Sequence, residues 1–469
     1  MPDGRQNGAS AKNGLFSSLL FLTIFCYFWI GLAPFPDPNA AALLTAYGKS
    51  SNLINQLIVV SLSGIVLVTM FRYRSAGMLL RPHGLLAVLL LWVCFTGLLS
   101  DDPATAFRRI VFAILVCLCS SAVLLLPRNE QQFAKLVCGI MVAVICLSYF
   151  GVIALPQRAI HQPTDALEQL LAGDWRGHFG HKNVAAGAMV FAVFFGLYLR
   201  QVRSTFIGLA IVAAAGFFVL KSGGKTSAGM LPAVLVLAWV FEHVRASRWL
   251  IPVFGLLVVN AILMSAAVSP AVSGFLVSLG VDPTFTDRSS IWELALSAIA
   301  DRPFFGYGFQ SFWQTEALFS RGEAISSWAV TAANSHNGYV EQLINGGVPM
   351  LILVVVWLVF LPIRDAGRAL RSGKDKALTR LFIRIWLFSL FFACLESPFF
   401  GNTGPLWFTT LISVFGLRFQ AYASLAEAKP IATTKARPAR RNWPRPQRQT
   451  QGLAQGPTQR LAQRLANAR

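Results

Sequence analysis

Long apolar runs alternate with short polar breaks along this chain, and the runs have the length of membrane crossings. A helical span needs about 20 apolar residues to cover roughly 30 Å of hydrocarbon. Twelve stretches qualify, near 15–33, 53–71, 84–100, 107–126, 133–155, 183–199, 204–220, 227–243, 249–268, 348–363, 381–396 and 403–421. The pattern predicts an all-α polytopic membrane protein with 1–14 as an N-terminal tail, 15–421 as the membrane domain and 422–469 as a C-terminal tail. Pro34, Pro36 and Pro38 follow the first run without a small-residue cleavage site, so it reads as an uncleaved helix.

Composition agrees with that pattern. The 469 residues are 55% hydrophobic and 13% charged, which argues against a water-soluble fold. All seven cysteines (Cys26, Cys94, Cys117, Cys119, Cys138, Cys146, Cys394) fall in apolar spans without disulfide or metal spacing, and read as small core residues.

Charge sets the orientation. With the N-terminus inside, twelve crossings return the C-terminus to the cytoplasm. The inner loops then carry sixteen Lys and Arg against eleven in the longer outer loops, as cytoplasmic retention of positive charge requires. The tail has one acid, Glu427, and ten basic residues, which contribute heavily to the net charge of +20. Rich in Pro, Gln, Ala and Arg, it is expected to be disordered and to rest on anionic headgroups, and it lacks the aromatic–basic interleaving of a nucleic-acid binder.

Counting crossings puts four polar clusters on the outer face: His181-Lys182-Asn183, Lys225-Thr226-Ser227, Asp287-Arg288 and His336-Asn337. Two outer segments are long, 156–182 and 269–347. In the second, Ser290-Ile-Trp-Glu293 has capping-box spacing before an apolar stripe that ends at Pro303. The aromatic turn Phe304-Phe-Gly-Tyr-Gly-Phe309 follows. A further helix is expected from Ser335 to Ile344, with His336 and Asn337 in its first turn facing water or substrate and Gly346-Gly347 as its stop.

Each cluster has a plain and a chemical reading. His336 can be a polar residue at a helix start or a general base, since imidazole titrates near neutrality. Arg288 can pair with Asp287 or grip phosphate oxygens with its planar fork. Lys225 follows Gly223-Gly224, but Val219 stands where a nucleotide-binding loop needs its first glycine, and the preceding element is a span; only general anion binding is left. His178, His181 and Asp174 lack a fixed metal-ligand pattern, so His181 reads as an interface anchor or part of a polar site. Arg108 and Arg109, beyond Asp101-Asp102-Pro103, can pair locally or contact a second phosphate.

In this order the clusters resemble the O-antigen ligase and exopolysaccharide polymerase superfamily. The matching stretches are Trp175-Arg-Gly-His-Phe-Gly-His-Lys-Asn183, Ser222-Gly-Gly-Lys-Thr-Ser227, Asp287-Arg-Ser-Ser-Ile-Trp292, Pro303-Phe-Phe-Gly-Tyr-Gly308 and Ser335-His-Asn-Gly-Tyr339, spread over residues 15–421. The resemblance implies a GT-C-like, metal-independent glycosyltransferase of the bacterial inner membrane, with no cofactor. Its donor would be an undecaprenyl-diphosphate-linked glycan, taken on the periplasmic face, and its acceptor a growing polysaccharide or a lipid A-core. Membrane lipids and other envelope polysaccharide assembly proteins would be its remaining partners. It further implies His336 as base, Arg288 and Lys225 at the diphosphate, and His181, Lys182, Asn183, Arg176, Asn337, Trp292, Arg108 and Arg109 as substrate contacts. Many ligases have Ser-Arg where this chain has Gly224-Lys225, a difference that favours a polymerase of the succinoglycan type over a ligase.

Two other classes stay open on the residues. A flippase or transporter for lipid-linked glycans would place polar groups near mid-membrane in repeated, broken helices; Glu396, near a span end beside Pro398, is the best such feature. A non-catalytic assembly partner is the third.

Overall fold

Apolar runs in hydrocarbon have one local solution, because only a helix satisfies every backbone N–H and C=O within its own segment. The computed structural model describes residues 4–37, 53–72, 84–165, 169–315, 318, 329, 332–373, 375–401 and 404–422. Among them a helix occupies each of the twelve apolar stretches, and there is no sheet beyond one isolated bridge, Ile160 to Trp175. Met1–Pro430 forms one compact unit. The basic tail, from residue 423 onward, lies outside the described residues, as do Arg74, Arg81 and Lys374 of the inner-loop cations.

In chain order the helices are α1 (Gly4–Trp29), α2 (Leu53–Arg72), α3 (Gly84–Leu98), α4 (Pro103–Val123), α5 (Glu130–Ala154), α6 (Lys182–Val202), α7 (Thr205–Lys221) and α8 (Lys225–His243). They continue as α9 (Ser247–Val268), α10 (Pro270–Ser278), α11 (Arg288–Asp301), α12 (Gly338–Val355), α13 (Leu361–Ser372), α14 (Lys376–Phe392) and α15 (Pro405–Tyr422). Among the described residues, seven helices are long and apolar enough to cross a membrane, and Gly14–Trp29, Gly84–Leu98 and Thr205–Lys221 are shorter apolar ones. The first helix begins at Gly4, ahead of the apolar run that starts at residue 15.

The most buried helices, α6 and α14, form the centre, with α15 against both. Small residues allow this closeness. A Cβ on Gly196 would stand 2.9 Å from the Gly208 carbonyl oxygen, and one on Gly208 2.4 Å from the Arg200 nitrogen, so α6 and α7 touch backbone to backbone. Aromatic rings fill the remaining space, among them Phe191 and Phe388, 5.4 Å apart between α6 and α14.

The aromatic turn expected after α11 has a structural task. At Gly346 and Gly347 α12 leaves helical geometry, and the turn docks into that break. Tyr307 N–H donates to the Ile344 carbonyl (2.8 Å) and Val348 N–H to the Pro303 carbonyl (2.9 Å). From α3, the Trp92 indole donates to the Gly346 carbonyl (2.8 Å) and its ring stacks on Phe305 at 6.0 Å. This joint fixes where the N-terminal half of α12, and the loop before it, can sit.

Candidate functional site

The head of α6 is built by the folded segment that precedes it. Trp175 N–H donates to the Lys221 carbonyl (3.0 Å), while Arg176 and Gly177 N–H both donate to the Ala159 carbonyl (2.9 Å each). His178 locks this segment to the bundle. Its Nε2 faces the Trp29 carbonyl at 2.9 Å and must donate there, so Nδ1 accepts from the Ser148 hydroxyl at 2.8 Å. Burial drives its pKa down to about 4, which keeps the ring neutral.

Two more histidines cap α6. His181 Nδ1 accepts from Asn183 N–H (3.0 Å), and His161 Nε2 accepts from Lys182 N–H (3.3 Å). That leaves the His161 proton on Nδ1, directed at Asp165 Oδ2, 3.4 Å away. Lys182 Nζ pairs with Asp174 Oδ2 at 2.6 Å. Asp174 in turn abuts the Gly223-Gly224 turn. Gly223 has φ +61°, and a Cβ there would lie 2.3 Å from Asp174 Oδ1, so both backbone and space call for glycine. Lys225 starts α8 beside this contact, with its side chain exposed.

Arg288 opens α11 after three consecutive left-handed residues, Phe285, Thr286 and Asp287 (φ 49°, 65° and 62°), a strained approach of the kind that clusters at functional sites. The expected capping box is not formed. Ser290 Oγ donates to the Asp287 carbonyl (2.9 Å) instead of accepting from a backbone N–H, and the N-cap is Asp287, three residues earlier.

His336 is not helical either. It sits at φ +48° just before the N-cap of α12, which begins at Gly338 rather than Ser335. The N-cap is Asn337, fully buried: its Oδ1 accepts from Tyr339 and Val340 N–H, and its Nδ2 donates to Asn260 Oδ1 (2.8 Å) and the Cys394 carbonyl (2.9 Å). Ser335 is held from both sides. The Trp292 indole donates to its carbonyl (2.9 Å), and its N–H donates to Glu341 Oε2 (2.8 Å), a carboxylate that also accepts from the Trp313 indole (3.0 Å). Trp292 and Asn337 thus fasten the loop that displays His336.

These elements meet at Glu396, in the loop after α14. Its Oε1 accepts from Arg288 Nη2 (2.5 Å) and Asn183 Nδ2 (2.8 Å), and its Oε2 faces His336 Nδ1 at 3.2 Å. Burial pushes this carboxyl up, but the His336 hydrogen bond and the Arg288 charge outweigh it. The net shift is below the usual range, and the group is ionised. The backbone closes the same link, because Gly338 N–H donates to the Ala393 (2.7 Å) and Glu396 (3.0 Å) carbonyls. Among the described residues nothing bonds His336 Nε2, and the ring is partly exposed.

The structure brings Asn183, Arg288 and His336 onto one carboxylate, beside the head of α6 that His181 caps. Lys182 and Lys225 adjoin through Asp174 and Gly223. Three expected contacts stand apart. Arg176 is fully buried and donates to the Gly180 carbonyl (3.3 Å). Arg108 is exposed on α4, reaching Thr105 Oγ1 (3.3 Å), and Arg109 donates to the Gln310 carbonyl. Glu396 itself was not among the expected site residues. The signal was available: it is an acid beside Pro398, just past an apolar run poor in acids.

Residues 187–355 match the family model for O-antigen ligase, a stretch that includes Lys225, Arg288, His336 and Asn337 but neither Asn183 nor Glu396. The exopolysaccharide production protein ExoQ of Rhizobium meliloti (strain 1021) is 25% identical over 223 residues, 44% of this chain and 50% of the relative. The chain thus matches about half the length of that curated relative. Over residues 187–355 the chain is similar to the O-antigen ligase family.

Proposed function

We propose that the protein is an inner-membrane glycosyltransferase acting on the periplasmic face. It would move a glycan from an undecaprenyl-diphosphate donor to a hydroxyl of a polysaccharide or lipid acceptor. The acceptor oxygen attacks the anomeric carbon, the bond from that carbon to the diphosphate oxygen breaks, and the lipid diphosphate leaves with the electron pair. His336 Nε2 takes the hydroxyl proton. Arg288 contacts the departing diphosphate, and Lys182 and Lys225 add positive charge at its edge. Stabilising charge as it develops usually lowers the barrier of such a step more than any other single effect.

One observation carries this reading: His336 gives Nδ1 to an ionised carboxylate and presents Nε2 toward an accessible space beside an arginine. A base oriented by a carboxylate, next to a cation suited to phosphate, is the arrangement hydroxyl-to-glycosyl transfer needs. Glu396, the feature that would favour a transporter, lies beyond the end of α14 rather than within it, which supports transfer over flipping.

Reconstituted protein supplied with lipid-diphosphate-linked oligosaccharide tests this. Lengthened glycan, without nucleotide, is the expected product; a ladder marks a polymerase and a single addition to lipid A-core a ligase. Donor moved across the bilayer with its glycan unchanged would overturn the proposal.

A further inference from the structure

We infer that Glu396 is an exchangeable stand-in for the donor's anion: in the empty site it occupies Arg288, and an arriving diphosphate takes Arg288 over and leaves Glu396 to His336. This rests on the function proposed above.

The geometry suits an exchange. Glu396 uses its two oxygens for different purposes, Oε1 toward Arg288 (2.5 Å) and Asn183 (2.8 Å), Oε2 toward His336 (3.2 Å). Losing Arg288 therefore does not strand the carboxylate, since Asn183 and His336 still hold it. Arg288 would not be stranded either, because it trades one anion for another. A buried arginine with no counter-charge is costly, and the resident carboxylate lets an empty enzyme keep Arg288 aimed at the site. The pair is not sealed in: Arg288 and Glu396 side chains each retain 14% exposure and His336 28%, so an anion can reach them.

The exchange couples two events. While Arg288 neutralises it, the Glu396 charge is shared among Arg288, Asn183 and His336. Once the diphosphate holds Arg288, the full carboxylate charge is available to stabilise the imidazolium that forms as His336 accepts the hydroxyl proton. Donor occupancy thereby prepares the base, and the acceptor is activated only when a donor is present. Glu396 acts through His336 and Arg288, and is a positioning residue.

A competitor that also assists has a recognisable signature. In Glu396→Gln the amide keeps the shape and can still hydrogen-bond, but no longer competes for Arg288 as an anion. Binding of farnesyl diphosphate to the full chain in phosphatidylcholine nanodiscs should tighten on the order of tenfold, because a like charge beside the ligand is gone. Turnover with lipid-linked oligosaccharide should fall on the order of 100-fold, because the base has lost its carboxylate. A purely structural residue would weaken both together. Binding no tighter than wild type, or unchanged turnover, overturns the inference.

If Glu396→Gln does not fold, infrared difference spectra of the wild type labelled with 13C-glutamate decide the question. Farnesyl diphosphate should shift a carboxylate band, and the absence of any shift refutes exchange. Wild-type transfer with parallel losses in Glu396→Gln would remove this inference alone. Tighter binding in Glu396→Gln, where the wild type itself transfers nothing, would instead remove the proposed function.

Discussion

Gly347→Ala should damage this protein far more than Gly346→Ala, although the two residues are neighbours in the same break of α12. Gly347 has φ +70° and ψ −169°, a region that only glycine enters freely. A Cβ there would lie 2.2 Å from the Phe304 carbonyl oxygen and 2.7 Å from that of Pro303, both backbone atoms. Relief requires expelling the aromatic turn, which breaks the Val348–Pro303 and Tyr307–Ile344 hydrogen bonds. Backbone strain of about 1–3 kcal/mol and two lost hydrogen bonds at about 1 kcal/mol each sum to about 3–5 kcal/mol. Gly346 has φ −159°, ordinary extended backbone, and its Cβ would meet only the Met350 side chain, at 2.6 Å from the sulfur. Met can move aside, so the cost there is about 1 kcal/mol. Thermal unfolding in detergent, followed by helical circular dichroism, should show the apparent Tm of Gly347→Ala lowered by on the order of 10 °C and that of Gly346→Ala by about 3 °C. Equal Tm values would refute the claim that the turn is keyed into the kink.

Three further outcomes follow from the site. His336→Ala should fold normally and bind farnesyl diphosphate, yet lose about 10²- to 10⁴-fold in transfer, as expected for loss of a general base; a steady-state assay checks this. Trp292→Phe keeps the ring but deletes the donor to the Ser335 carbonyl, leaving a buried acceptor unpaired at about 1–3 kcal/mol. Turnover should fall while farnesyl diphosphate affinity, read by calorimetry, stays near wild type. His178 stays neutral in the fold down to about pH 4, against an ordinary 6.5. Protonation therefore favours the unfolded chain, so its contribution is complete above pH 6.5 and is lost as pH falls toward 4. The span corresponds to about 3 kcal/mol, and His178→Gln should flatten the pH dependence of Tm in that window.

How much of this was legible beforehand depended on whether the signal was local. The helices were, since an uninterrupted apolar run has one backbone solution in hydrocarbon. The parity of crossings also grouped His181, Lys225, Arg288 and His336 before any contact was known. Side-chain direction was not legible. The spacing of Ser290 and Glu293 fits a capping box, but spacing cannot say that the hydroxyl donates to the Asp287 carbonyl rather than accepting. Asn337 and Trp292 look like surface contacts in a motif, whereas both are spent inside the protein on the loop around His336. Glu396 was hidden most deeply. It lies 60 residues from His336, 108 from Arg288 and 213 from Asn183, and only the tertiary packing of α6, α11, α12 and α14 brings the four together.

These distant cations and the imidazole should form one site for a lipid diphosphate. A photoreactive polyprenyl-diphosphate analogue, crosslinked to the full-length protein in membranes and mapped by mass spectrometry, tests it directly. Labels on peptides carrying Asn183, Lys225, Arg288 and His336, competed by farnesyl diphosphate, are the predicted result. Competed labels confined to the opposite end of the bundle, around Arg248 and Arg371, would contradict it.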